Sequence, residues 1–165
     1  MKKYFLVLLV LALGLLATAQ TATADMPQRF PIVAGPLELE GVCSFPVRLD
    51  VVQNTQKLIV FSDGRATVNG NFVARVTNLD DPSKSIVLEA SGPLFFTPNA
   101  DGTTTVKGTG TNIWFFFPNQ TAEGAPGALF LVRGLSTEVV DETGTPIPGT
   151  FSHNGYIENL CDTLA

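Results

Sequence analysis

The chain has 165 residues, with 10 Lys+Arg against 15 Asp+Glu, one His and two Cys, a length that fits one globular domain. A net charge of −5 supplies no basic face for phosphate neutralisation, which excludes a nucleic-acid binder. One His and two Cys exclude a multi-ligand His/Cys metal site, and 45% hydrophobic against 15% charged residues excludes a disordered chain.

Lys2 and Lys3 open the chain, residues 4–16 run almost without a polar atom, and Ala22-Thr23-Ala24 fits a small-x-small cleavage pattern. The apolar stretch is about 13 residues long, whereas a spanning helix needs about 20. Residues 1–24 are therefore expected to be a signal peptide cleaved near Ala24, giving a secreted, extracellular product with no stable membrane anchor. Residues 25–42, with Pro27, Pro31 and Pro36, read as an extended N-terminal arm, and residues 43–165 as a single β domain.

From there a period of two dominates. Phe45, Val47, Leu49 and Val51 alternate with Arg48 and Asp50. In residues 66–78, Ala66, Val68, Gly70, Phe72, Ala74 and Val76 share one parity, and Thr67, Asn69, Asn71, Arg75 and Thr77 the other. That is the pattern of a strand with one dry and one wet face. Thirteen residues would reach roughly 43 Å, longer than a usual strand, so Gly70 suggests a bend or bulge.

Seven strands are expected, over residues 45–52, 57–61, 65–78, 84–96, 103–117, 128–140 and 150–158. Turn chemistry separates them: Ser62-Asp63-Gly64 is a tight hairpin signal, and residues 80–83, 98–102 and 142–146 are turn-like by composition. No apolar i, i+3, i+4 stripe survives outside the leader.

These features predict an all-β fold, an antiparallel meander of seven or eight long strands. A closed or nearly closed β-barrel is favoured because closure removes exposed edges, with a two-sheet β-sandwich as the alternative. In an oxidising exterior Cys43 and Cys161 most simply form one disulfide. In a strict seven-strand meander those two points lie at opposite rims. Either Pro93 splits residues 84–96 into an eighth strand or residues 159–165 fold back.

Candidate chemistry is sparse. Asn112, Trp114 and Phe116 share a face of the fifth expected strand, and His153, the only histidine, shares parity with Phe151, Gly155 and Ile157. If both faces are interior, Asn112, Trp114, Phe116 and His153 would line a polar spot in an apolar pocket. The aromatic run Trp114-Phe115-Phe116-Phe117 puts bulk on both faces. One face must be core, and the other is either covered by the arm or the 119–126 loop, or left as a partner surface. No activated serine, calcium loop or phosphate cradle is present. No catalytic residue, metal or cofactor is assigned.

Cys43-Ser44-Phe45-Pro46-Val47, Ser62-Asp63-Gly64, Val76-Thr77-Asn78-Leu79, Ser91-Gly92-Pro93, Phe115-Phe116-Phe117-Pro118 and Asn159-Leu160-Cys161 span nearly all of residues 43–165. Together they resemble a group of small secreted actinobacterial β-domain proteins of unassigned function. That resemblance implies secretion and a single β domain, and carries over no catalytic residue. The length and meander are also similar to allene-oxide-cyclase-like and dirigent-like barrels, in architecture only.

The expected function is non-catalytic: a secreted β domain binding a small apolar ligand or a cell-surface partner. The alternatives are a cofactor-independent isomerase or cyclase using His153 or a buried Glu such as Glu138, and a passive envelope component.

Overall fold

Alternation places Val68, Ala74 and Val76 inside and Arg75 outside, as the pattern of residues 66–78 requires. The computed structural model describes residues 26–165, so the leader expected over residues 1–24 lies outside the described residues. In chain order the strands are β1 (Gln28–Pro31), β2 (Leu37–Leu39), β3 (Val47–Asn54), β4 (Lys57–Val60), β5 (Ala66–Asn69) and β6 (Phe72–Asn78). Then follow β7 (Ser85–Glu89), β8 (Leu94–Pro98), β9 (Thr104–Gly108), β10 (Thr111–Phe116), β11 (Ala128–Val140), β12 (Ser152–Asn159) and a single-turn helix α1 (Leu160–Thr163).

All pairings are antiparallel, and they form two sheets. The larger runs β1-β4-β5-β8-β9-β11-β10, with β12 on the opposite edge of β11; the smaller runs β2-β3-β6-β7. The favoured closed barrel does not form among the described residues, and the two sheets fit the sandwich alternative. The physical reason lies in how the long runs break. Residues 66–78 stop pairing at Gly70, which leaves β5 in the larger sheet and β6 in the smaller. Residues 84–96 break at 90–93, handing β7 and β8 to different sheets. Strands that pass from one sheet to the other at such breaks build two packed sheets, not a ring. The N-terminal arm supplies β1 and β2, which pair with β4 and β3.

The main core lies between the sheets. Val47 and Val76 of the smaller sheet meet Leu129 and Leu131 of β11, together with Leu39, Val42, Leu160 and Leu164. Residues 159–165 do fold back. Asn159 caps α1 by accepting from the Cys161 N–H, and the buried Asn78 amide donates to the Leu164 carbonyl at 3.0 Å. The Cys43–Cys161 disulfide, with Cα atoms 5.4 Å apart, clamps the approach to β3 onto α1.

The opposite face of the larger sheet carries a second core. Val106, Trp114, Phe116 and Val132 are buried there, with Phe96, Phe130, Phe151 and Ile157 packed around them. Phe151 seals it, its ring 4.8 Å from Phe116 and 5.6 Å from Trp114. The aromatic run therefore divides by parity. Trp114 and Phe116 enter this core, while Phe115 and Phe117 pack edge-to-face and remain 39% exposed.

The sheet bends toward this face where Gly110, in the break between β9 and β10, Gly134 on β11 and Gly155 on β12 lie side by side, all with positive φ. A Cβ on Gly134 would run into the Asn154 carbonyl, and one on Gly155 into the Arg133 carbonyl. The line acts as a crease. Gly134→Ala should cost about 2 kcal/mol through backbone strain and that collision. Urea unfolding checks it, and a loss below about half a kcal/mol would mean the crease relaxes freely.

Candidate functional site

The crease brings distant parts of one chain run together. Trp114 lies six residues beyond Gly108, about 20 Å if fully extended. Yet a Cβ on Gly108 would sit 3.1 Å from the Trp114 ring and 2.7 Å from Ser136 Oγ. Gly108 pairs with Ser136, and Val106 with Glu138, so Ser136 and Glu138 project from β11 onto the same concave face as Trp114.

Two openings meet at this point. One, of about 520 Å³, is walled by Leu94, Phe96, Val106, Trp114, Glu138 and Val140, with Asp141 and Glu142 at its edge. The other, of about 300 Å³, lies beside the outer edge of β10 and is lined by Trp114, Phe115, Phe117, Gln120, Glu138 and residues 143–146. Trp114, Glu138 and Gly144 are common to both linings, so the 141–146 turn overhangs the indole and the carboxyl with an opening on each side.

That overhang is a tied strap. The Asp141 carboxylate accepts from the Thr143 hydroxyl at 2.6 Å and from the Thr143 and Thr145 N–H groups. These bonds, the Thr143 hydroxyl first, hold its carboxyl below the usual carboxylate range. Further on, Gly149 N–H donates to the Thr121 carbonyl, anchoring the strap to the 119–126 loop.

Beneath the strap the polar accounting fails. Trp114 Nε1, Ser136 Oγ and Glu138 Oε2 are buried and find no hydrogen-bond partner among the described residues. Buried polar atoms are satisfied in the great majority of cases, so three orphans on one face of the sheet are a marked exception. Trp114 and Glu138 line the openings, while Ser136 is wholly buried behind them and lines neither. Among the described residues no cation offsets Glu138, and burial pushes its carboxyl up to about 7. A group that titrates there can donate or accept near neutral pH.

The four residues expected at a pocket end in different places. Trp114 lines both openings. Asn112 is buried but occupied, its amide donating to the Thr109 carbonyl at 3.0 Å across the bend. Phe116 is wholly buried in the aromatic core. His153 sits opposite Ser136 on β12, exposed, its ring 6.3 Å from Phe151. Ser136 was not singled out by sequence reasoning, and Glu138 only as a base. Their signal was parity: both share it with Phe130, Val132 and Val140, so they are polar residues on the dry side of β11.

A larger groove of about 590 Å³, between residues 87–93 and Arg133, contains none of the orphaned atoms. Among the described residues no group of three His, Cys, Asp or Glu side chains could hold a metal ion. No family model, curated protein or solved structure matches this chain. Its chemistry is therefore read from the cleft itself.

Proposed function

We propose that this is an exported, non-catalytic binding domain whose concave face takes a small, mainly apolar ligand carrying a polar group. The observation that carries the reading is the pair of unpaired buried polar atoms, Trp114 Nε1 and Glu138 Oε2, on residues that line the cleft beside Leu94, Phe96, Val106 and Val140. Leaving such atoms unpaired costs about 1–3 kcal/mol each, a cost that a ligand's own donors and acceptors would recover. Export is supported by Lys2-Lys3, the apolar residues 4–16 and Ala22-Thr23-Ala24. The disulfide agrees with an oxidising compartment, and among the described residues no helix is long and apolar enough to cross a membrane.

Trp114 is the only tryptophan, so its emission reports on the cleft alone. Titration with a neutral apolar fluorophore such as N-phenyl-1-naphthylamine should give saturable, one-to-one energy transfer from Trp114. Thr104→Phe, which crowds the larger opening, should weaken it about tenfold, or about 1.4 kcal/mol. Linear, non-saturable emission in both proteins would sink the proposal.

One observation favours a second reading. A carboxyl poised near 7 inside an apolar cleft suits general acid–base work, as an isomerase or cyclase without a cofactor would need. Conversion of a bound compound, lost in Glu138→Gln while binding persists, would replace the binding role with that one. The half-exposed Phe115 and Phe117 suit a cell-surface partner or an envelope role instead.

A further inference from the structure

The cleft's charges all have one sign. Glu138 lies at its floor and Asp141 and Glu142 at its edge, and among the described residues no Lys, Arg or His lines either opening. An acidic rim alone would be an ordinary solvated turn, and Asp141 is already used in tying the strap. The floor is different. Glu138 is only 8% exposed and Trp114 only 7%, and each directs an unpaired polar atom into buried space. A buried carboxylate oxygen without a donor is strongly destabilising unless something cationic or hydrogen-bonding meets it.

We infer that the ligand of this cleft is an organic cation: an amine whose ammonium pairs with Glu138 and whose apolar body lies on Phe96, Val106 and Trp114. The inference rests on the binding reading above and narrows it to a chemical class. An ammonium brings up to three donors and no acceptor, which matches an acceptor-only carboxylate. The indole beside that carboxylate adds attraction, because the face of a tryptophan ring is the best aromatic partner for a cation. A ligand oxygen next to the amine would answer the remaining Trp114 N–H. An anionic ligand would meet three carboxyl groups and no compensating charge. A neutral one could donate a single hydrogen bond but would leave the Glu138 charge without a counter-charge.

The test compares three compounds with one apolar body: 4-phenylbutylamine, 4-phenylbutanol and 4-phenylbutanoate. Each is titrated against the disulfide-bonded protein at about pH 8, where Glu138 is mostly ionised, and followed by Trp114 emission. The amine should bind at least about tenfold tighter than the alcohol, and the carboxylate weakest of the three. Glu138→Gln should bring the amine level with the alcohol. If the alcohol matches the amine, or the carboxylate binds best, the cation inference is overturned while the apolar cleft stands as a binding site. If none of the three perturbs Trp114, both are overturned. The ranking in the unaltered protein decides the matter even if the variant folds poorly.

Discussion

Replacing Cys43 and Cys161 together by serine should lower the unfolding free energy by about 4–5 kcal/mol. The two residues are 118 positions apart, so the bond closes a loop that holds almost the whole β domain. In the chain-entropy description, freeing such a loop enlarges the unfolded ensemble more than opening a short one would. The folded state loses something as well. Cys43 and Cys161 pack against the inter-sheet core, and the bond holds α1 where Leu160 and Leu164 fill that core. Without it, residues 159–165 depend on the Asn78 amide at Leu164 and the Lys84 ammonium at Ala165, which donates to the carbonyl at 2.9 Å. Urea unfolding of the oxidised protein and the double-serine variant measures the difference. A loss under about 1 kcal/mol would mean the core alone positions the C-terminus.

How much of this could be read beforehand depends on the range of the interaction. Local alternation was legible. Residues 128–140 form the strand expected there, residues 66–78 keep their inside–outside alternation although they divide into two strands, and the two cysteines pair. Pairing partners were not legible, because parity states which side of a strand is dry but not which strand lies beside it. Gly70 and the 90–93 segment read equally well as coiling in a barrel or as corners between two sheets, and the structure uses them as corners. The crease was hidden for the same reason. Gly110, Gly134 and Gly155 are far apart in sequence and become one line only after β10, β11 and β12 are in register. Trp114 stood out through its aromatic neighbours. Ser136 looked like an ordinary wet position in a long strand, and only the buried face of β11 reveals that it is not. His153 shows the converse: its parity pointed inward, but β12 is an edge strand whose start lies beyond the cover of the core.

Glu138→Gln should leave stability nearly unchanged at about pH 4 and raise it by about 3 kcal/mol at about pH 8 relative to the unaltered protein. The sign follows from proton counting. Burial raises the carboxyl from 4.5 in the open chain to about 7 in the fold. Below about 4.5 both states hold the proton, and the group contributes no pH dependence. Between about 4.5 and 7 the unfolded chain has released its proton while the folded protein retains it, so stability falls as pH rises. Above about 7 both are ionised and the penalty is complete. Asp141 and Glu142 on the strap and His153 on β12 are the other ionisable groups nearby, and among the described residues no Lys or Arg lines the cleft to relieve the charge. Those three residues are the same in both proteins, so the difference between the two pH–stability curves belongs to Glu138. A flat difference curve from about pH 4 to 8 would place the carboxyl in contact with water and remove the basis for an ion-pairing floor. A curve that falls as expected and is lifted again at about pH 8 by saturating 4-phenylbutylamine, with no such lift in Glu138→Gln, would join the stability cost of this carboxylate to the ligand that offsets it.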